Sequence, residues 1–191
     1  MNLREDGLAQ SNIDRMPYTP IVATLGYVLS ADRQSVLMIH RNRRPGDQHL
    51  GKYNGLGGKL EQDEDVAAGM ARELREEAGI EALRLVLRGT VNWPGFGAHG
   101  EHWLGFIFLI PEWRGTLSTQ TDEGALEWIP LSRILASCRV DEAGHPPADA
   151  LPMWPGDRYF LPLVFGDDPR QFHGVMPYQG GQPVSWRYTW A

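Results

Sequence analysis

The segment Gly58-Lys-Leu-Glu-Gln-Asp-Glu-Asp-Val-Ala-Ala-Gly-Met-Ala-Arg-Glu-Leu-Arg-Glu-Glu-Ala-Gly-Ile80 decides how the rest of the chain is read. A glycine-marked turn leads into an amphipathic helix. At roughly 100° per residue, Val66, Met70 and Leu74 form an apolar stripe with Ala67, Ala71 and Ala78 beside them. Glu73 and Glu77 fall about 40° apart on one edge of the stripe, with Glu76 about 60° further round, so the three carboxylates are predicted to face a common volume. Gly79 suits a left-handed C-terminal cap, and the two glycine limits frame about four turns.

Such a helix is poorly chosen for stability alone. Like charges at i,i+4, as in Glu73 and Glu77, destabilise by about 0.2–0.5 kcal/mol. Glu76 and Glu77 also stand in the last turn, where the helix dipole favours cations by roughly 0.3–1 kcal/mol. Arg72 and Arg75 offset only part of this repulsion. Composition alone permits an ordinary solvated charged helix. Clustered carboxylates with few nitrogen or sulfur donors nearby instead suit a hard divalent cation, Mg²⁺ or Mn²⁺, and through it phosphate chemistry.

The spacing within the segment is more specific than its charge. Gly58, five residues to Glu64, seven to Arg72-Glu73-Leu74, one to Glu76-Glu77 and one to Gly79-Ile80 resembles the signature of the Nudix hydrolase superfamily at every fixed position. The resemblance implies hydrolysis of a nucleoside diphosphate linked to another moiety. It implies that Glu73, Glu76 and Glu77 hold Mg²⁺, with Mn²⁺ as a substitute, and that Arg72 orients them. Gly58 and the loop residue Glu123 belong to the implied metal set.

Outside this segment the chain sets broad limits. Its 191 residues suit one domain, and a formal net charge of −6 argues against a polynucleotide partner, whose backbone needs clustered Lys and Arg. Cys138 is the single cysteine, so no internal disulfide forms. No signal-like or membrane-spanning apolar run is present, and a soluble cytoplasmic protein is expected. Residues 1–18 are polar without period and read as a flexible N-terminal arm, leaving 19–191 as the single domain. The oligomeric state is left open.

Strands are expected at Ile21–Leu29, Ser35–His40, Leu83–Asn92, His102–Ile110, Ala125–Ile129 and Val184–Trp190, and helices from Pro130 and over Asp157–Phe165 despite Pro162. Arg41, Arg43 and Arg44 precede a Pro-Gly turn in what reads as a solvated loop. The pattern is an α/β (α+β) protein, and the resemblance implies an α/β/α sandwich with a central mixed sheet.

The resemblance extends to the MutT-type branch, whose members remove oxidised purine nucleoside triphosphates such as 8-oxo-dGTP. It is carried by Gly51–Lys59, by Met153-Trp-Pro-Gly-Asp-Arg-Tyr-Phe and by Phe172-His-Gly. It implies that Asn54, Trp154 and Asp157 read the base and that Lys59 contacts substrate. From the residues themselves, Trp154 equally suits core packing and Asn54 a turn before Gly55. Gly156 stands where the branch has the first of two aspartates, which predicts either a base reader with one carboxylate or an opened pocket. The expected reaction releases a nucleoside monophosphate and pyrophosphate, with Glu73, Glu76 or Glu123 as the proton acceptor. A pyrophosphatase of other base preference and a nucleotide-binding regulator on the same fold are the alternatives.

Overall fold

The computed structural model describes residues 17–43, 46 and 49–191. Of the expected arm, 1–16 lie outside these residues, as does Arg44. At the arm's end the Tyr18 hydroxyl donates to Asn92 Oδ1 at 2.5 Å.

The strands are β1 (Ile21–Leu29), β2 (Ser35–His40), β3 (Tyr53–Asn54), β4 (Ile80–Trp93), β5 (Trp103–Gly115), β6 (Ala125–Pro130), β7 (Phe172–Val175), β8 (Tyr178–Gln179), β9 (Gln182–Pro183) and β10 (Arg187–Trp190). The helices are α1 (Val66–Glu73), α2 (Leu131–Ser137) and α3 (Asp157–Val164). An eight-stranded sheet runs β10-β7-β4-β5-β1-β2-β3, with β6 on the other side of β2. It is mixed: β1 runs parallel to β5 and β4 parallel to β7, while the other neighbours are antiparallel.

Alternation along the strands divides the core into two layers. Val28, Leu37, Ile39, Phe108 and Ile110 pack under Met70 of α1 and under Leu74 and Ala78 of the turn that follows it. Tyr27, Val36, Met38 and Ile107 point the other way, onto Ile134 of α2 and Phe160, Leu161 and Val164 of α3. Helices therefore cover both faces of a mixed sheet, as the sandwich expectation required.

Strand β1 changes partner along its length, and this opens the site. Its end pairs with β2 at Val28↔Leu37 and Leu29↔Val36. Its beginning is instead met by the segment after β3, where Thr24 N–H donates to Gly58 O at 2.9 Å, Gly26 N–H to Leu56 O at 2.6 Å and Leu60 N–H to Val22 O at 3.0 Å. At Gly57, with φ of 138°, a Cβ would overlap the Thr24 carbonyl, so the backbones approach this closely only because no side chain is present.

Helix α1 starts where Asp65 caps it, its Oδ1 accepting from Ala67 N–H at 2.8 Å and Ala68 N–H at 2.9 Å. The expected stripe holds at Met70, Leu74 and Ala78, but Ala67 is exposed. Gly69 is buried in its stead, because the Leu60 side chain and Glu64 press against the helix where a Cβ at 69 would project. The helix does not stay α to its end. Leu74–Ala78 form a π-helical turn closed by Gly79, whose N–H reaches Leu74 O as well as Arg75 O and whose φ of 70° gives the expected left-handed cap.

Short β3, β7 and the β8–β9 hairpin around Gly180-Gly181 were not expected, and β10 starts at Arg187 rather than Val184. Arg88 on β4, only 8% exposed, donates from Nε to Val164 O at 2.9 Å and from Nη2 to the carbonyls of Leu163, Gly166 and Asp168 at 3.1, 2.9 and 2.9 Å. This cation satisfies carbonyls at and beyond the C-terminal end of α3, where the helix dipole also favours it. Among the described residues no helix is long and apolar enough to cross a membrane.

Candidate active site

A cavity of about 610 Å³ opens between the start of β1, the 54–61 segment, α1 and the loops leading into α3 and β8. Glu73, Glu77, Glu123, Gly57 and Gly58 form one cluster on its wall, and Asn54, Trp154 and Asp157 belong to a second, so one space gathers most of the residues singled out from the sequence.

In the first cluster Arg72 is the organising group. Its Nε and Nη2 grip both oxygens of Glu64 at 3.0 and 2.7 Å, and Nη1 donates to Glu73 at 2.9 Å and to Glu76 at 3.0 Å. Nη2 also reaches Lys59 O at 3.2 Å, so the guanidinium fork ties α1 to the strip along β1. Glu64 is a fixed position of the signature to which the sequence reading gave no role; its spacing was the available signal.

Glu77 turns the other way and accepts the Gly57 N–H at 2.8 Å. Burial pushes its carboxyl up to about 8, with Glu73 and Glu123 adding repulsion against the Gly57 hydrogen bond and Arg41. Burial raises Glu73 as well, against the opposing pull of Arg72. Glu123 is held by an ion pair with Arg41. Glu76 departs from the expected common volume: its side chain is 59% exposed and it is not part of the cavity wall. The wider π turn carries it outward while Glu77 turns in.

This wall fits a hard divalent cation. Its donors are oxygens, its inner carboxylates repel one another when charged, and Glu73 lies over Gly58, where a Cβ would stand 2.5 Å from Glu73 Oε1. As the side chains stand, no group of three His, Cys, Asp or Glu among the described residues is assembled to hold an ion. Each carboxylate instead engages its own donor: Arg72, Gly57 N–H or Arg41.

The second cluster is aromatic and contains residues that the sequence did not single out. Trp154 Nε1 donates to His49 Nδ1 at 2.8 Å, and Asn54 Nδ2 lies 3.1 Å from the same nitrogen. Two donors on Nδ1 place the His49 proton on Nε2 and leave Asn54 Oδ1 as an acceptor. Phe96 meets Trp154 edge to face at 4.9 Å, and Lys52 Nζ stands 4.5 Å over the Trp154 ring. Trp154 is therefore part of the cavity wall, rather than solely of the core.

Asp157, the first residue of α3, accepts from Trp154 N–H at 3.1 Å, yet loss of solvation pushes its carboxyl up to about 7. Gly156 does not open the pocket. It is buried, and a Cβ there would overlap the Tyr178 hydroxyl and the Met176 sulfur.

Lys59 is exposed at the rim, its Nζ 5.5 Å from the Trp103 ring. Arg43 donates to Gln120 and to Thr121 O, so the basic loop braces the Glu123 segment. Two buried polar atoms of lining residues, Thr24 Oγ1 and Trp103 Nε1, have no hydrogen-bond partner among the described residues. Such atoms are costly unless something polar enters the cavity.

A mixed sheet between helices, with an oxygen-only carboxylate cluster facing an aromatic pocket, defines a nucleotide-hydrolase architecture. The chain belongs to the NUDIX family, whose NUDIX domain model matches residues 19–163. It is a Nudix hydrolase acting on nucleoside diphosphate derivatives, and enzymes of this family use divalent metal ions.

Similar proteins include an uncharacterized Nudix hydrolase of Bacillus subtilis, 28% identical over 155 residues that cover 79% of this chain and 83% of that one. An oxidized purine nucleoside triphosphate hydrolase of Mus musculus is 30% identical over 152 residues, 80% of this chain and 84% of that one. Among solved structures, the MutT protein of Bacillus halodurans aligns with a TM-score of 0.68 at 26% identity, covering 88% of this chain and 97% of that one.

Proposed function

We propose that this chain is a Mg²⁺-dependent nucleoside triphosphate pyrophosphohydrolase that releases a nucleoside monophosphate and pyrophosphate, with oxidised purine nucleotides such as 8-oxo-dGTP as its substrates. The observation carrying this reading is that one cavity joins the signature carboxylates to Asn54, Trp154 and Asp157. The name of the mouse relative supports the base class.

Glu73, Glu77 and Glu123 would hold the cation; Gly58 packs against Glu73 with its carbonyl accepting the Thr24 N–H, and Glu76 stands outside the cavity wall, tied to the cluster through Arg72. When bound, the cation supplies charge neutralisation for the phosphates and lowers the pKa of an attacking water. Arg72 keeps Glu73 in place, and the Gly57 N–H fixes Glu77. The proton acceptor is Glu73 or Glu123, the two of the three candidates that line the cavity. Trp154 offers a ring for stacking, while Asn54 Oδ1 and the Asp157 carboxyl meet the base edge. The closed surface at Gly156 favours a second reading, in which the preferred base is other than 8-oxoguanine.

Purified protein given a panel of unmodified and oxidised nucleoside triphosphates with Mg²⁺ or Mn²⁺ should yield pyrophosphate and monophosphate, and EDTA should stop it. Folded protein that produces neither product from any triphosphate would overturn the reading.

A further inference from the structure

Tyr178 begins β8, and its buried ring lies 4.9 Å from Phe96 in an edge contact. Its backbone N–H donates to Pro94 O at 2.8 Å, which fixes the ring against the 93–96 loop. The hydroxyl occupies the space into which a side chain at Gly156 would project. Both Tyr178 and Asp157 line the cavity, and the charge of Asp157 acts on the phenol.

We propose that the Tyr178 hydroxyl is a specificity-determining group of this enzyme, a hydrogen-bond donor fixed beside Asp157 that reads the base edge from the space a residue-156 side chain would fill. This rests on reading the cavity as a nucleotide site.

The chemistry of the phenol supports the role. A phenol carries one O–H donor, and at Tyr178 it stands against the Gly156 backbone in the space a side chain there would take. Burial and Asp157 hold that proton far above the neutral range, so Tyr178 stays a donor at every working pH. Two adjacent carboxyls sharing one proton can present the donor at either position. A tyrosine beside one carboxyl cannot exchange the roles so freely. Above the Asp157 pKa of about 7, the pair therefore selects a base whose edge places an acceptor opposite Tyr178 and an N–H opposite the ionised carboxylate.

The test compares Tyr178→Phe with the unsubstituted protein by kcat/KM over a nucleoside triphosphate panel, and by the calorimetric Kd of the corresponding monophosphates. Losing one buried donor should weaken the preferred base by about tenfold and poor bases by much less, measured at about pH 8 to 9 where Asp157 is ionised. A second variant tests the geometry without activity. Gly156→Ala should lower Tm, and adding Tyr178→Phe should recover part of the loss, since the overlapping oxygen is gone.

A uniform loss across all bases, or no loss, overturns the specificity role, and a Tyr178→Phe addition that recovers nothing overturns the shared space. If the unsubstituted protein hydrolyses no triphosphate, the proposed function fails, and monophosphate binding then decides. Base-selective Kd values that flatten in Tyr178→Phe sustain the inference, and absence of base-selective binding overturns it.

Discussion

The Glu77 carboxylate accepts the Gly57 N–H at 2.8 Å, which joins the π turn ending the signature helix to the strip of backbone laid along β1. Glu77→Gln keeps an oxygen for that bond while removing the charge. Turnover with saturating Mg²⁺ should fall by about a hundredfold or more, the scale of losses at tuned metal sites. The Tm of the metal-free variant should be no lower than that of the parent, because a buried, repelled carboxyl has been neutralised. Near-normal turnover would remove Glu77 from the metal site.

Arg72→Lys tests whether a charge alone suffices beneath the glutamates. Lysine cannot grip both oxygens of Glu64 while also reaching Glu73, Glu76 and Lys59 O, so activity should fall by about tenfold to a hundredfold with Mg²⁺ affinity weakened in parallel. Glu64→Gln should do less when added to Arg72→Lys than when made alone, as expected for two halves of one contact. Full additivity in kcat/KM would contradict this.

Arg88 lies outside the cavity but holds the helix that begins with Asp157. Arg88→Met strips hydrogen bonds from the carbonyls of Val164, Leu163, Gly166 and Asp168 and should cost roughly 3 kcal/mol. That corresponds to a Tm lower by about 10 °C for a chain of this size, measured by thermal melting. An unchanged Tm would mean that water replaces the guanidinium without penalty.

Asp157 gives the folded protein a pH dependence with a definite sign. Its carboxyl is raised to about 7, so between the unfolded value near 4 and pH 7 the native state keeps a proton that the unfolded chain has released. Stability should therefore fall as pH rises through that window, by up to roughly 4 kcal/mol from this group. Glu77 adds a slope of the same sign, so the informative comparison is Asp157→Asn, whose Tm should decline less between pH 4.5 and 8 in metal-free buffer. Parallel curves for the two proteins would sink the assignment.

The signature was legible because its chemistry lies in residue types at fixed spacing, and Met70, Leu74 and Ala78 follow an ordinary helical period. The π turn was not, since Leu-Arg-Glu-Glu-Ala is equally good α-helical sequence and only the packing shows the extra width. His49, Phe96 and Tyr178 were missed for another reason. Each is a lone aromatic in a loop or two-residue strand, with no period to mark its face, and they meet only after the sheet has brought residues 49, 96, 154 and 178 together. At Gly156 the sequence shows a carboxylate lost and leaves an opened pocket as one reading, because a sequence records what a residue lacks but not which distant side chain fills the gap.

The π turn makes the site depend on a count of residues as well as on their kinds. Between Leu74 and Gly79 the chain carries one residue more than an α-helical turn uses, and that surplus lets Glu77 face Gly57 while Glu76 faces solvent. Deleting exposed Arg75 would leave every glutamate in the sequence and a good helix former at each remaining position. Because the turn already holds one residue in excess, the deletion would let Leu74 O close onto the Gly79 N–H as an ordinary α turn with Ala78 and Gly79 kept in place, so the helix end would survive the edit while the extra width around Glu76 and Glu77 would not.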